Sequence, residues 1–84
     1  MEIDIIYQKL DKLYFIILDC SAIQRRDLSV MYRHCLSIRQ DISREDIECR
    51  KLGKETVRKQ QLTAELIESF NNLEQYIAWA NLLK

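Results

Sequence analysis

The chain has 84 residues, of which 48% are hydrophobic and 31% are charged, and its formal net charge is zero. This mixture is typical of a folded protein and is too apolar for a disordered tail. A chain of this length has room for one hydrophobic core, so we expect one domain over residues 1–84. The longest apolar run, residues 13–18, is too short for a transmembrane helix or a signal-peptide core, which favours a cytoplasmic protein without a membrane partner.

The charges are segregated along the chain although they cancel overall. Residues 1–23 carry two basic and four acidic side chains, residues 24–60 ten basic and six acidic, and residues 61–84 one basic and three acidic. The acidic ends are therefore expected to pair with the basic middle, either of a second copy or of an antiparallel neighbour. Acids interleaved with the basic residues disfavour a nucleic-acid surface, for which the candidates are Arg25, Arg26 and Arg33.

The first segment has the spacing of an amphipathic helix. The chain contains no proline and a single glycine, Gly53, so long helices with few turns are expected. The apolar stripe of this helix, at alternating steps of three and four, consists of Ile3, Ile6, Leu10, Leu13, Ile17 and Cys20. Tyr14, Phe15 and Leu18 widen the stripe until the helix is apolar nearly all the way round. We interpret these three as residues that contact a partner.

The second stripe follows with an offset of one residue. Its members, again at steps of three and four, are Leu28, Met31, Cys35, Ile38 and Ile42. The offset equals a four-residue insertion, which a continuous helix can absorb. Ser21 and Gln24 have the spacing of a capping box, which would instead favour a turn. Because no glycine, proline or asparagine lies between residues 20 and 28, we expect the helix to continue.

A turn is predicted near residues 40–43. Ser43 can cap a new helix, and Glu45 and Asp46 would then lie in its first turn, where the helix dipole favours acids. The chain would thus divide into an arm of residues 2–39 and an arm of residues 44–83. Glycine costs about 1 kcal/mol relative to alanine inside a helix, so a kink or break is expected at Gly53.

The last segment is predicted to be a helix with two apolar rows. The main row consists of Leu62, Leu66, Phe70, Leu73, Ile77 and Ala80. A second row, offset from it, consists of Tyr76, Trp79 and Leu83. Two rows require that something covers two sides of the helix. Since tryptophan and tyrosine are enriched at protein contacts, the second row is a candidate partner-contact row.

Little in the sequence points to catalysis or to a metal. The chain has no glycine-rich phosphate loop, no nucleophile elbow and only one histidine. Its three cysteines lack a Cys-x-x-Cys pair, so we expect reduced thiols. His34 and Cys35 are adjacent and point about 100° apart on a helix, which prevents them from sharing one ion. We expect no cofactor, no metal and no catalytic residue.

One short run has a family resemblance. Residues 41–45, Asp-Ile-Ser-Arg-Glu, resemble the Asp-x-x-Arg-Glu signature at the start of the second helix of the all-helical chorismate mutases. The resemblance implies a dimeric helical enzyme in which Arg44 and Glu45 hold the substrate. That family also presents cations from its first helix, whereas residues 1–24 of this chain offer only Lys9 and Lys12.

The sequence as a whole predicts a single all-α domain, either a long helical hairpin or a three-helix bundle with coiled-coil-like packing. Its apolar stripes exceed what one hairpin can bury, so we expect a homo-oligomer or a stable complex with another protein. The predicted function is a small protein-interaction module, such as an adaptor, regulator or co-chaperone. A chorismate-mutase-like enzyme and an RNA- or DNA-binding hairpin are the alternatives.

Overall fold

The computed structural model describes the backbone of residues 3–82 and the side chains of residues 3–80. Three helices make up this part of the chain, namely α1 (Ile3–Leu18), α2 (Ala22–Leu52) and α3 (Val57–Leu82). Helices α2 and α3 form an antiparallel hairpin, and α1 lies against the end at which α2 begins and α3 ends. The described residues form a rod 49 Å long and 18 by 17 Å across. The predicted all-α fold is confirmed, in the form of a three-helix bundle.

The core consists of the apolar stripes that the three-four spacing predicts. Its buried members on α1 are Ile6, Leu10, Leu13 and Ile17; on α2, Leu28, Cys35, Ile38 and Ile42; on α3, Leu62, Leu66, Phe70, Leu73 and Ala80. Side chains three or four positions apart stack on one helix face, and the three faces meet along the rod. Burial raises the pKa of the Cys35 thiol, which packs as a small apolar group.

The chain breaks between α1 and α2, so the prediction of one continuous helix there is wrong. The amides of Asp19 and Cys20 donate to the carbonyls of residues 16 and 17, at 3.2 and 3.1 Å, and this tightens the last turn of α1. Ser21 then caps α2, since its side chain accepts the Gln24 amide at 3.3 Å. Folding α1 back buries its stripe against α2 and α3, which offsets the loss of helix at the break.

No turn occurs near residues 40–43, so the predicted division into two arms at that point is wrong. Helix α2 runs through these residues, and Ile42 is buried there as the last member of its stripe. Ser43 does not cap a helix; its hydroxyl donates to the Arg39 carbonyl one turn earlier, at 3.2 Å. Burial of Ile42 therefore outweighs the local capping signal.

The predicted break at Gly53 is confirmed. Gly53 has φ 68° and ψ 21°, the left-handed conformation that ends many helices, and its amide donates to the Cys49 carbonyl. Thr56 caps α3, because its hydroxyl oxygen accepts the Lys59 amide at 3.1 Å. The same hydroxyl donates to the Glu45 carboxylate at 2.8 Å, which ties the turn back to α2.

We expect Gly53→Ala to lower the free energy of unfolding by about 1 kcal/mol, because alanine disfavours a positive φ. Apart from Gly53 and its chain neighbours, no heavy atom lies within 4 Å of where the added Cβ would be, so no steric clash contributes. Urea denaturation followed by circular dichroism measures the change. Gly53→Asn is the matched control, since asparagine tolerates this conformation better and should cost less. Equal stability of all three chains would contradict this role of Gly53.

Candidate interaction surface

A cluster of exposed apolar side chains surrounds the break between α1 and α2. We call residues 19–21 the hinge, and we call Tyr14, Phe15, Leu18 and Ile23 the hinge surface. These four side chains are between 47% and 72% exposed. Tyr14 and Phe15 pack against each other edge to face, with ring centres 5.7 Å apart, so their exposed parts form one aromatic patch.

Three members of the hinge surface are predicted partner-contact residues. In the described part of the chain Tyr14, Phe15 and Leu18 are 53%, 67% and 47% exposed, and their contact with a partner stays a prediction. Ile23 was missed because it belongs to neither buried stripe. Its signal in the sequence is its position: an isoleucine in the first turn of a helix, next to an otherwise polar stretch.

The second predicted contact row lies on α3 near the same end of the rod. Trp79 is 53% exposed, and its ring lies 5.7 Å from that of the half-buried Tyr76. The Tyr76 hydroxyl donates to the Asp27 carboxylate of α2 at 3.0 Å. Partial burial and then this carboxylate raise the pKa of Tyr76 above its ordinary value. Leu83, the third member of the row, lies outside the described residues.

A groove of about 270 Å³ runs between α1 and α3 beside the hinge surface. Its apolar walls are formed by Leu13 and Ile16 of α1 and by Phe70 and Ile77 of α3. Lys9 and Glu74 form an ion pair across it, at 3.5 Å. The groove exists because α1 packs less completely against α3 than α2 does, and it leaves Ile16 half exposed.

Two polar contacts hold α1 against α2. The Arg39 guanidinium lies 2.9 Å from the Asp11 carboxylate and 4.4 Å above the Tyr7 ring, where it makes a cation–π contact. Burial raises the pKa of Tyr7. The Asp11–Arg39 pair joins the acidic first segment to the basic middle of the same chain. The predicted pairing with an antiparallel neighbour thus occurs within the chain, and pairing with a second copy stays a prediction.

The three basic candidates lie together on the outer face of α2. Arg25, Arg26 and Arg33 line one concavity of about 380 Å³, with Val30 between them. None of the three forms an ion pair with any side chain of residues 3–80. Their positive charge is therefore free to attract acidic groups of another molecule.

The run that resembles chorismate mutases lies in the middle of α2, not at the start of a helix. Arg44 pairs with Asp41 at 3.7 Å on the surface, and Glu45 accepts the hydroxyl of Thr56. Both residues that the resemblance assigns to the substrate thus have local partners. The structural context of that signature is absent from this part of the helix.

The described part of the chain has neither a metal-binding group nor a membrane-spanning helix. Between residues 3 and 82, His, Cys, Asp and Glu side chains do not gather in any group of three that could hold a metal ion. None of the three described helices is both long and apolar enough to cross a membrane. Comparison of this chain with protein-family models, with curated proteins and with solved structures finds no match.

Proposed function

We propose that this chain is a small helical protein-interaction module that works by helix association, first of all with a second copy of itself. The observation that supports the proposal is the hinge surface, four large apolar side chains on either side of the hinge that the fold leaves about half exposed or more, two of them packed aromatic rings. Single exposed apolar residues are normal on a protein surface, whereas a patch that includes two packed aromatic rings is typical of an interface. Turnover of a substrate plays no part in this function.

The free energies support association through several of these residues together. Full burial of one large apolar side chain stabilises a complex by about 1.5–3 kcal/mol. Association costs roughly 4–15 kcal/mol in lost freedom of motion, so one residue does not suffice. In a symmetric dimer each surface is buried twice. Burial of the four hinge-surface residues and Trp79 of both copies then stabilises the complex by more than the lower end of the association cost.

Charge also favours a second copy as the partner. The arginine concavity on α2 is positive, and it lies on the half of the rod that carries the hinge. The segments before residue 24 and after residue 60 are acidic, so another copy brings the complementary charge. Three unpaired cysteines suit a reducing compartment, and an adaptor, regulator or co-chaperone in the cytoplasm is the role that we propose.

We expect Phe15→Lys to convert the assembly to a monomer without changing its helix content. A lysine in the last turn of α1 suits the helix dipole, so the fold of one chain should tolerate it. Its charge would have to be buried in the interface, which should weaken association at least about tenfold. Light scattering after size exclusion at several micromolar concentrations measures the molar mass.

Gln8→Lys is the matched control, since Gln8 is exposed two turns earlier on the same helix and lies outside the hinge surface. It should leave the molar mass unchanged. Trp79→Asp should weaken association in the same direction as Phe15→Lys. A natural chain that remains a monomer throughout the concentration range would contradict the proposal, and so would a Phe15→Lys chain that assembles as tightly as the natural one.

A further inference from the structure

We infer that two copies associate by exchanging α1. In the exchanged dimer, α1 and α2 of each chain form one continuous helix over residues 3–52. Each α1 then packs against α2 and α3 of the other copy, at the same site that it fills here within its own chain. The inference rests on the proposed function and specifies how the second copy binds. The segment that binds there is α1 of the second copy, because the side chains that pack against α2 and α3 at this site are those of α1.

The buried stripes are in phase for a continuous helix. Ile17 is the last buried residue of α1 and Leu28 is the first of α2, eleven positions later. Three turns of an α-helix take about 10.8 residues. A straight helix through the hinge therefore presents both stripes on the same face. The α1 part can then pack on one copy and the α2 part on the other without any twist between them.

The hinge contains nothing that prevents it from becoming helical. Residues 19–21 are Asp, Cys and Ser, and among the described residues only Gly53 has a positive φ. Ser21 has φ −60°, a helical value, and its ψ of 160° is what departs from a helix. The side chain of Ser21 holds the hinged form through its bond with the Gln24 amide.

Exchange keeps the contacts that dock α1. The Asp11–Arg39 pair at 2.9 Å and the Lys9–Glu74 pair at 3.5 Å form between chains instead of within one. The buried stripe of α1 meets the same partners in both forms. The two forms therefore differ mainly at the hinge, where the continuous helix gains backbone hydrogen bonds and loses both the Ser21 cap and the bond from the Arg25 guanidinium to the Cys20 carbonyl.

The docking register places Ile23 of the hinge surface where the two long helices cross. An antiparallel pair that keeps Tyr7 and Asp11 beside Arg39 has its midpoint at residues 23 to 25. Ile23, the most exposed member of the hinge surface, then lies beside the crossing point. Exchange thus adds a contact between the two copies around Ile23, a large apolar side chain that a single copy leaves 72% exposed.

The test is an isotope-hybrid cross-link. Unlabelled and ¹⁵N-labelled chains are mixed in equal amounts, unfolded, refolded together and treated with a carbodiimide, which joins Lys9 to Glu74 as an amide. Mass spectrometry then reads whether the joined peptides come from one chain or from two. If α1 is exchanged, about half of the Lys9–Glu74 products of a fully paired sample are isotope hybrids.

The Lys59–Asp46 pair is the internal control, since it joins α3 to α2 at 2.7 Å within one hairpin. Its cross-linked peptides should carry a single isotope in both forms. Hybrids at Lys9–Glu74 together with a single isotope at Lys59–Asp46 support the exchange of α1 specifically.

Two substitutions at one position should move the equilibrium in opposite directions. Ser21→Pro fits the hinged form, because φ is −60° and the Ser21 amide donates no backbone hydrogen bond within residues 3–82. Proline also removes the cap, but in a continuous helix it clashes with the preceding turn, and because this clash outweighs the lost cap the hybrid product should disappear. Ser21→Ala removes the cap from both chains of the pair and should tighten the dimer by roughly thirtyfold.

The outcomes separate this inference from the proposed function. A dimeric molar mass with single-isotope Lys9–Glu74 products overturns exchange and leaves association through the hinge surface intact. Hybrids that persist in Ser21→Pro overturn the continuous helix. A monomeric natural chain overturns both, and circular dichroism of each variant shows whether it has folded.

Discussion

Replacing Phe70 with alanine should lower the free energy of unfolding by about 3–5 kcal/mol. Phe70 is buried on α3, where it packs in the core and also forms a wall of the groove beside α1. Lys9 of α1 lies over its ring, 5.9 Å from the centre. A chain of this size has a total stability of roughly 4–13 kcal/mol, so this one change removes a large share of it.

Urea denaturation followed by circular dichroism measures the loss, at a fixed chain concentration because association contributes to stability. Asn71→Ala is the matched control, since Asn71 is exposed on the next position of the same helix and alanine favours helices. It should leave stability unchanged or raise it slightly. A loss below about 1 kcal/mol for Phe70→Ala would mean that α1 and α3 do not meet as described.

The helices and their buried faces could be predicted from the sequence because the spacing repeats over many turns. Leu66 and Phe70, for example, are four positions apart on a row that continues to Ala80. Such a row has one physical solution, which is a helix with that face covered. The structure buries all three positions.

The turns were harder to predict, because local signals compete with burial. Ser21 and Ser43 are both serines with cap-like neighbours, yet only Ser21 caps a helix. The neighbours of each on the buried face decide the outcome. Ile42 is apolar and buried beside Ser43, so the helix gains by continuing. After Ser21, the expected core position 27 is an exposed aspartate, so a single chain would bury no apolar side chain there by continuing the helix.

The candidate site could be predicted only in part. Tyr14 and Phe15 stood out because they exceed what one stripe needs, and both are exposed. Ile23 gave no such signal, since the residues that follow it are polar. Its position next to an exposed apolar patch becomes clear only once the hinge at residues 19–21 is known. The exposure of Trp79 follows from its offset of one position from Ala80, which turns the ring away from the core.

Leu10→Asp should have the other large effect, because it places a carboxylate where the side chain is completely buried. The loss of the leucine contacts and the cost of burying a charge without a partner amount to about 4 kcal/mol or more. We expect α1 to leave its seat, with a fall in helix content by circular dichroism. Acid should relieve part of the effect relative to the natural chain, since burial raises the pKa of the introduced carboxyl and its neutral form is easier to bury.

Gln8→Asp is the control, since Gln8 is exposed on the same helix and the same charge is added there. If it destabilises the chain as much as Leu10→Asp does, the orientation of α1 is wrong. The pair also bears on exchange, because α1 uses one seat in both forms. Leu10→Asp should therefore remove the Lys9–Glu74 cross-link altogether, whereas Ser21→Pro should keep it and remove only its hybrid form. Docking of α1 depends on its buried stripe, and the choice of chain on which it docks depends on the hinge.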